Sequence, residues 1–253
     1  MLAAEDYSPD RSLKGKLRRR IVRLQTRRPA RFDLQRPMVS FTFDDVPISA
    51  LETAGPMLEA HGARGTYFVC AGLAGQHSRM GRYASREDLL AAQARGHEIA
   101  CHTFGHLDCG AANALAIETD IACNDAALAD WGVAATTTFA YPYGDVSHAA
   151  KRVAGGRFAL ARALHHGLIE TGADLNQAPA VGIEGPDGAE VAMRWLERAA
   201  ARKAWLILYS HDVRADPSPV GCTPAAMAQL IDAAVAAGFD IVTVAEGARR
   251  IGA

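Results

Sequence analysis

The chain lacks a paired-cysteine framework. Its five cysteines, Cys70, Cys101, Cys109, Cys123 and Cys222, are odd in number and have no CxxC spacing, so neither a disulfide framework nor a cysteine zinc knot is indicated. Cys70 and Cys101 fall in apolar runs and read as small core hydrophobes. No run of about 20 apolar residues is present, so no segment reads as a membrane-crossing helix. The opening Met1-Leu2-Ala3-Ala4-Glu5-Asp6 has no apolar h-region of a secretory signal, and the expected compartment is a reducing cytoplasm. Net charge is close to nil, at −1 over 253 residues, and no internal repeat or low-complexity tract appears.

Acid is scarce in one place. From Lys14 to Arg36, the cations Lys14, Lys16, Arg18, Arg19, Arg20, Arg23, Arg27, Arg28, Arg31 and Arg36 face a single carboxylate, Asp33. Residues 1–37 therefore read as a basic N-terminal extension. Such a segment suits an anionic surface, whether nucleic acid, phospholipid or an acidic sugar. The plainer reading is a solvated helix and linker, with Ile21, Val22 and Leu24 packing on the body that follows. No aromatic residues interleave with the charges as nucleic-acid platforms require, so no nucleic-acid partner is expected.

What the chain has is apolar residues, 49% of the total, in alternating strand and helix patterns. Strands are expected at Val39–Phe43, Thr66–Val69, Glu98–Cys101, Thr138–Tyr141, Arg157–Ala161, Ala180–Ile183, Trp205–Tyr209 and Asp240–Val244. Between them, Ala-rich stretches predict helices near Ala50–His61, Arg86–Arg95, Asn113–Asp130, Ser147–Gly155, Ala189–Lys203 and Thr223–Ala237. Gly96, Gly132 and Gly238 stand where such helices stop. The alternation predicts an α/β fold with a parallel sheet, and right-handed crossovers let that sheet curl into a barrel over residues 38–253. A chain of this length suits one such barrel, which commonly needs about 250 residues.

Residues able to hydrolyse bonds recur where strands end. Val39, Phe41 and Phe43 alternate with Ser40 and Thr42 before the run stops at Asp44-Asp45. Alone, two adjacent carboxylates before Pro47 read as a solvated turn. Next, Glu98–Cys101 gives way to His102-Thr103-Phe104-Gly105-His106, with imidazoles four positions apart. Two neutral imidazoles and one carboxylate form a set that a borderline divalent ion such as zinc accepts. Alone, the histidines read as a surface pair, since Gly105 interrupts the turn and no Glu follows His102 as in the metalloprotease motif. The Asp pair at an equivalent strand end favours the metal reading. Tyr143 and His211 follow two further strands, and in a parallel barrel all these ends face one mouth.

Phe41-Thr42-Phe43-Asp44-Asp45, His102-Thr103-Phe104-Gly105-His106, Phe139-Ala140-Tyr141-Pro142-Tyr143-Gly144 and Leu206-Ile207-Leu208-Tyr209-Ser210-His211 resemble, in order, motifs of the NodB-type polysaccharide deacetylases, carbohydrate esterase family 4. The resemblance implies a distorted (β/α) barrel of seven or eight parallel strands. It implies a divalent metal, zinc first and cobalt or nickel next, held by Asp45, His102 and His106. Asp44 is then the base, His211 the acid, and the backbone N–H of Tyr143 an oxyanion donor. Thr103 takes the place where the family holds the metal loop with a hydroxyl. Leu206, Leu208 and Tyr209 are either plain strand core or the lining of a small acetyl pocket, with Leu208 the substrate-contacting candidate.

Two departures stand out. Many members carry an Arg where this chain has Ala140, so another group must orient Asp44. The Asp-and-Trp motif that usually precedes the last one is not recognisable, and Asp174, Glu184 and Asp212 are all candidate partners for His211. The remaining histidines, His61, His77, His97, His148, His165 and His166, read as surface or structural groups. The expected activity is removal of N-acetyl groups from an N-acetylated sugar or polysaccharide. The alternatives are a cytoplasmic carbon–nitrogen hydrolase acting on a small or lipid-linked amide, and a catalytically silent carbohydrate-binding protein of the same fold.

Overall fold

The first long strand sets the architecture. In the computed structural model, which describes residues 12–253, β1 (Met38–Asp44) is buried at every position. Both its faces have protein neighbours. Val39, Phe41 and Phe43 point outward into a cluster with Leu58 of α2 (Gly55–Ala60), Leu89 of α3 (Arg86–Ala94) and Leu128 of α4 (Ala114–Trp131). That cluster also takes in Leu196 of α6 (Gly188–Arg202) and Leu230 of α7 (Pro224–Ala236). Burying each such side chain contributes about 1.5–3 kcal/mol. Ser40, Thr42 and Asp44, on the alternate face, turn into the lumen, where Trp205 Nε1 donates to Ser40 Oγ at 3.0 Å.

Seven strands run parallel around β1. They are β2 (Thr66–Val69), β5 (Glu98–Cys101), β6 (Thr138–Ala140), β7 (Leu160–Arg162), β8 (Val181–Gly182), β9 (Trp205–Ser210) and β1 itself, in the order β7-β6-β5-β2-β1-β9-β8. An eighth, β10 (Asp240–Ile241), pairs with Met38 and Val39 at the start of β1. The two edges meet through one segment: Ala178 N donates to Ala161 O (2.8 Å), Ala163 N to Ala178 O (2.9 Å) and Ile183 N to Tyr209 O (2.7 Å). The expected barrel is present, and this short join is its distortion. α5 (His148–Gly155) lies between β6 and β7, and a small hairpin of β3 (His77–Ser78) and β4 (Gly81–Arg82) leaves the sheet after β2.

The end remote from the Asp pair is sealed. Val244 and Ala248 of α8 (Val244–Arg250) join Trp205, Ile207 and Met38 in one buried cluster. Only glycine fits at Gly247, where an added Cβ would lie 2.3 Å from Trp205 Cζ2. Glu98 anchors this helix by accepting from Ala245 N at 2.8 Å and from the hydroxyls of Thr66 and Thr138. Burial first of all pushes its carboxyl upward, although these donors oppose the shift.

Several boundaries differ from expectation. The seventh strand lies at Leu160–Arg162 instead of Arg157–Ala161, and the last ends at Ile241, because Thr243 accepts from Glu246 N and caps α8. The Ala50–His61 helix begins as a π-helix over Ala50–Ala54 and becomes α2 at Gly55. Gly96, Gly132 and Gly238 all have positive φ, as helix-stopping positions should.

The basic segment does not stand apart from the barrel. α1 (Leu13–Val22) is tied down by the fully buried Lys151, whose Nζ donates to Val22 O (3.0 Å) and pairs with Asp174 (2.6 Å). Further on, Ala30 N donates to Ala173 O and Asn176 Nδ2 to Thr26 O. Val22 is buried, but Ile21 and Leu24 are exposed and do not pack as expected. Met1–Asp6, the stretch read for a signal, lies outside the described residues. Among the described residues, no helix is long and apolar enough to cross a membrane.

Candidate active site

At the open mouth, the backbone bends sharply as β1 ends. Asp45 and Val46 adopt φ of 57° and 53°, so the two carboxylates part. Asp44 stays in the lumen and Asp45 turns toward the histidine loop. Thr103 (φ 64°), His106 (57°) and Tyr143 (58°) share the left-handed conformation. For side chains with a Cβ, and above all for the branched Val46 and Thr103, it costs on the order of 1–3 kcal/mol each. Five of the seven non-glycine residues with positive φ among those described thus gather at one cleft.

The histidine loop is held by its neighbours. Thr103 Oγ1 accepts from Leu107 N at 2.9 Å, and Asp120 of α4 accepts from Phe104 N (2.6 Å) and Gly105 N (3.0 Å). His102 Nδ1 faces Ala140 O at 2.8 Å; a carbonyl only accepts, so Nδ1 carries the proton and Nε2 keeps its lone pair. That Nε2 is 3.8 Å from Asp45 Oδ1, and His106 Nε2 is 3.4 Å from the same oxygen. Burial pushes His102 down to about 4, so it is neutral near pH 7. A lone-pair nitrogen, a second imidazole and a carboxylate oxygen converge, which is a donor set fit for a borderline divalent ion.

Cys70, expected to be only a core hydrophobe, is buried beside this group. Its Sγ lies 3.8 Å from Asp45 Oδ1, and ligand atoms of Asp45, Cys70 and His102 lie within 4.8 Å of one another. The thiol donates to His102 O at 2.9 Å, and burial pushes its pKa well above the usual thiol value, so it remains protonated.

Asp44 finds its orienting cation one strand away from Ala140. Ala140 and Arg162 are register partners on β6 and β7, and the fully buried Arg162 pairs through Nη2 with Asp44 Oδ1. Its guanidinium sits between the rings of Phe68 (5.0 Å) and Tyr209 (5.3 Å), a geometry that favours Arg over Lys. Burial opposes the charge on Asp44, but Arg162, His102 and His211 outweigh it and hold the carboxyl below its usual range. This single contact leaves Asp44 Oδ2 for another partner.

His211 lies in the same cleft. Its Nδ1 is 3.1 Å from both Glu184 Oε1 and Val220 O, which again places a proton on Nδ1 and leaves Nε2 for the cleft. Burial lowers its pKa, but the bond to Glu184 and the charges of Asp44, Glu184 and Asp45 raise it to about 9. Glu184 is thus the partner that three candidates left open. Asp174 is engaged with Lys151, and Asp212 with Ser218 and Arg214 in the loop beyond.

The cleft, about 230 Å³, is lined by Asp44, Asp45, His102, His106, Tyr143 and His211, with Arg79 and Met80 from the hairpin. Tyr143 packs edge-on against His106, their rings 4.4 Å apart. Leu208 is the exception among the expected site residues. It faces outward into the helix-side cluster with Leu206, while Tyr209 turns inward. Strand alternation separates the two, so Leu208 is core and does not line the cleft. Arg162 and Glu184 were the residues that sequence reasoning missed or left unranked, since they lie in no motif that contains Asp44 or His211.

Residues 32–156 match the family model described as Polysaccharide deacetylase. No curated protein sequence matches the chain. Among solved structures, a putative polysaccharide deacetylase from Mycobacterium smegmatis superimposes with a TM-score of 0.65 at 17% identity, over 88% of this chain and 93% of that one. The chitin deacetylase of the fungal pathogen Colletotrichum lindemuthianum gives 0.62 at 19%, over 87% and 92%. A family 4 acetyl xylan esterase from Clostridium thermocellum, in complex with a cobalt ion, gives 0.55 at 18%, over 83% and 89%. At such identities these likenesses establish the fold.

Proposed function

Because this chain belongs to the polysaccharide deacetylase family, we propose that it is a metal-dependent hydrolase that removes N-acetyl groups from an N-acetylated carbohydrate. The observation that carries this reading is a pair of oppositely tuned groups in one cleft: Asp44, held ionised by Arg162, and His211, held protonated by Glu184. Amide hydrolysis needs both, a base for the attacking water and an acid for the departing nitrogen.

Asp45, His102 and His106 would hold the metal. A divalent ion there, with zinc the first choice, supplies a more acidic water and a place for charge on the carbonyl oxygen. Asp44 Oδ2 takes the proton of the attacking water while Arg162 fixes the other carboxylate oxygen. His211, oriented through Nδ1, donates from Nε2 to the leaving nitrogen and is re-protonated after acetate departs. The backbone N–H of Tyr143, on a left-handed bend in the cleft wall, is our candidate for a second oxyanion donor. Arg162 and Glu184 fill the roles that the two motif departures left vacant, which removes the motive for the silent-binder reading. We also propose a cytoplasmic location; cell fractionation tests it.

Asp44→Asn is the decisive variant. It should abolish release of acetate from chitooligosaccharide, by a loss of at least about 100-fold, with the bound metal retained by elemental analysis. Turnover at the wild-type rate in that variant removes Asp44 as the base.

A further inference from the structure

We propose that α1 is a membrane-docking helix whose exposed apolar stripe seats in the headgroup region of an anionic phospholipid bilayer. Leu13, Leu17 and Ile21 follow one another at intervals of four along α1, with Leu24 in the turn beyond, and are 84%, 58%, 45% and 77% exposed. They are four of the six large exposed apolar side chains among the described residues. Spacing by four puts them on one face.

The stripe cannot turn inward. Gly15 and Val22 occupy the buried face, Ser12 caps the helix by accepting from Gly15 N, and Lys151 holds Val22 O. Arg18 fastens the helix to Gly110 O and Asp145 Oδ2, each at 2.6 Å. An apolar line that no described residue covers, on a firmly held helix, calls for a partner.

Charge selects the partner. Between Ser12 and Pro37 the chain has ten Lys and Arg against one acid, Asp33, although its net charge is −1. Arg20 and Arg23 are exposed beside the stripe. A second copy would bring these cations against their own kind, and nucleic acid has no use for the leucines. An anionic bilayer satisfies both at once, since apolar side chains enter the acyl boundary while cations meet phosphates. Gly110 and Asp145 follow His106 and Tyr143 closely in the chain, so docking by this helix sets the loops of the cleft beside the headgroups.

The test is co-sedimentation of the full chain with vesicles of phosphatidylcholine alone and of equal parts phosphatidylcholine and phosphatidylglycerol. Binding is expected only to the mixed vesicles, and weaker at high salt. Leu17→Ser/Ile21→Ser should lower partitioning about 30-fold or more, and Arg20→Ala/Arg23→Ala also roughly 30-fold. Leu24→Ser, outside the helix and so without effect on its folding, should lose about 5-fold. Melting temperature and acetate release from a soluble chitooligosaccharide should not change in any of them. Wild-type protein left in the supernatant with mixed vesicles at low salt overturns the proposal, as does undiminished binding by the serine variants. A dimer in light scattering that Leu17→Ser/Ile21→Ser dissolves would assign the stripe to a second copy instead. Equal binding to duplex DNA, insensitive to the serine variants, would assign the charges to nucleic acid.

Discussion

Arg162→Met is the perturbation that reasons most directly from this structure. Arg162 is fully buried, Asp44 is 3% exposed, and among the described residues Arg162 is the cation in direct contact with that carboxylate. Methionine keeps much of the stem between Phe68 and Tyr209 but removes the guanidinium. Breaking one partner from a buried pair costs about 3–5 kcal/mol, because the remaining charge is left uncompensated. Asp44 has a way to shed part of that cost, which is to take up a proton. With Arg162 gone, burial acts on the carboxyl with less opposition and pushes it upward, so the acid limb of kcat/KM moves to higher pH. Acetate release should fall about 100- to 10,000-fold at pH 7, the range for a lost general base, with partial recovery as pH rises. Arg162→Lys keeps the charge without the planar fork and should fall in between. Ala140 and Arg162 are register partners, so Ala140→Arg placed on Arg162→Ala returns a guanidinium from the adjacent strand and should restore part of the lost rate. The assay is kcat/KM against pH on a soluble chitooligosaccharide, with melting temperature in parallel. A wild-type rate and an unmoved acid limb in Arg162→Met would refute the claim that this residue sets the charge and aim of Asp44.

Glu184→Gln tests the acid. The protonated His211 persists below about 9 and is lost as pH rises through it, so removing Glu184 should draw the alkaline limb of kcat/KM to lower pH, and an unchanged limb counts against Glu184 as the supporting group. His106→Ala removes one of the two nitrogens near Asp45 and should lower metal content in elemental analysis; full occupancy would shift attention to Cys70. Gly247→Ala forces a methyl into Trp205 and should cost about 1–3 kcal/mol in chemical denaturation, leaving acetate release intact at a temperature where the chain is folded, because the strain lies at the sealed end.

The strands were most legible where both faces are apolar. Thr66–Val69 and Glu98–Cys101 appear as expected, while the strand expected at Arg157–Ala161 lies at Leu160–Arg162 and takes in a cation. In the lumen Arg162 is a strand residue whose charge is met by Asp44 from across the barrel. The tail of the chain departs from the expected strand for a local reason. Val242 and Val244 look like strand, but Thr243 followed by Glu246 is a helix-capping pattern. Four motifs brought six of the seven expected site residues into one cleft. Leu208 failed on alternation, since its neighbour Tyr209 holds the inward position. Glu184 could not be ranked from sequence because its tie to His211 spans 27 positions, a relation that the pairing of β8 with β9 creates.

The left-handed bends at Asp45, Val46, Thr103, His106 and Tyr143 imply a trade-off for anyone seeking a hardier version of this protein. Glycine at Val46 or Thr103 would relieve steric conflict and tempt a designer working from backbone geometry alone. Yet the same bends aim the donors, and a relaxed loop would let an imidazole or carboxylate wander. Heat tolerance gained at these positions should come at the expense of catalytic speed, so improvements belong at the plugged base of the barrel.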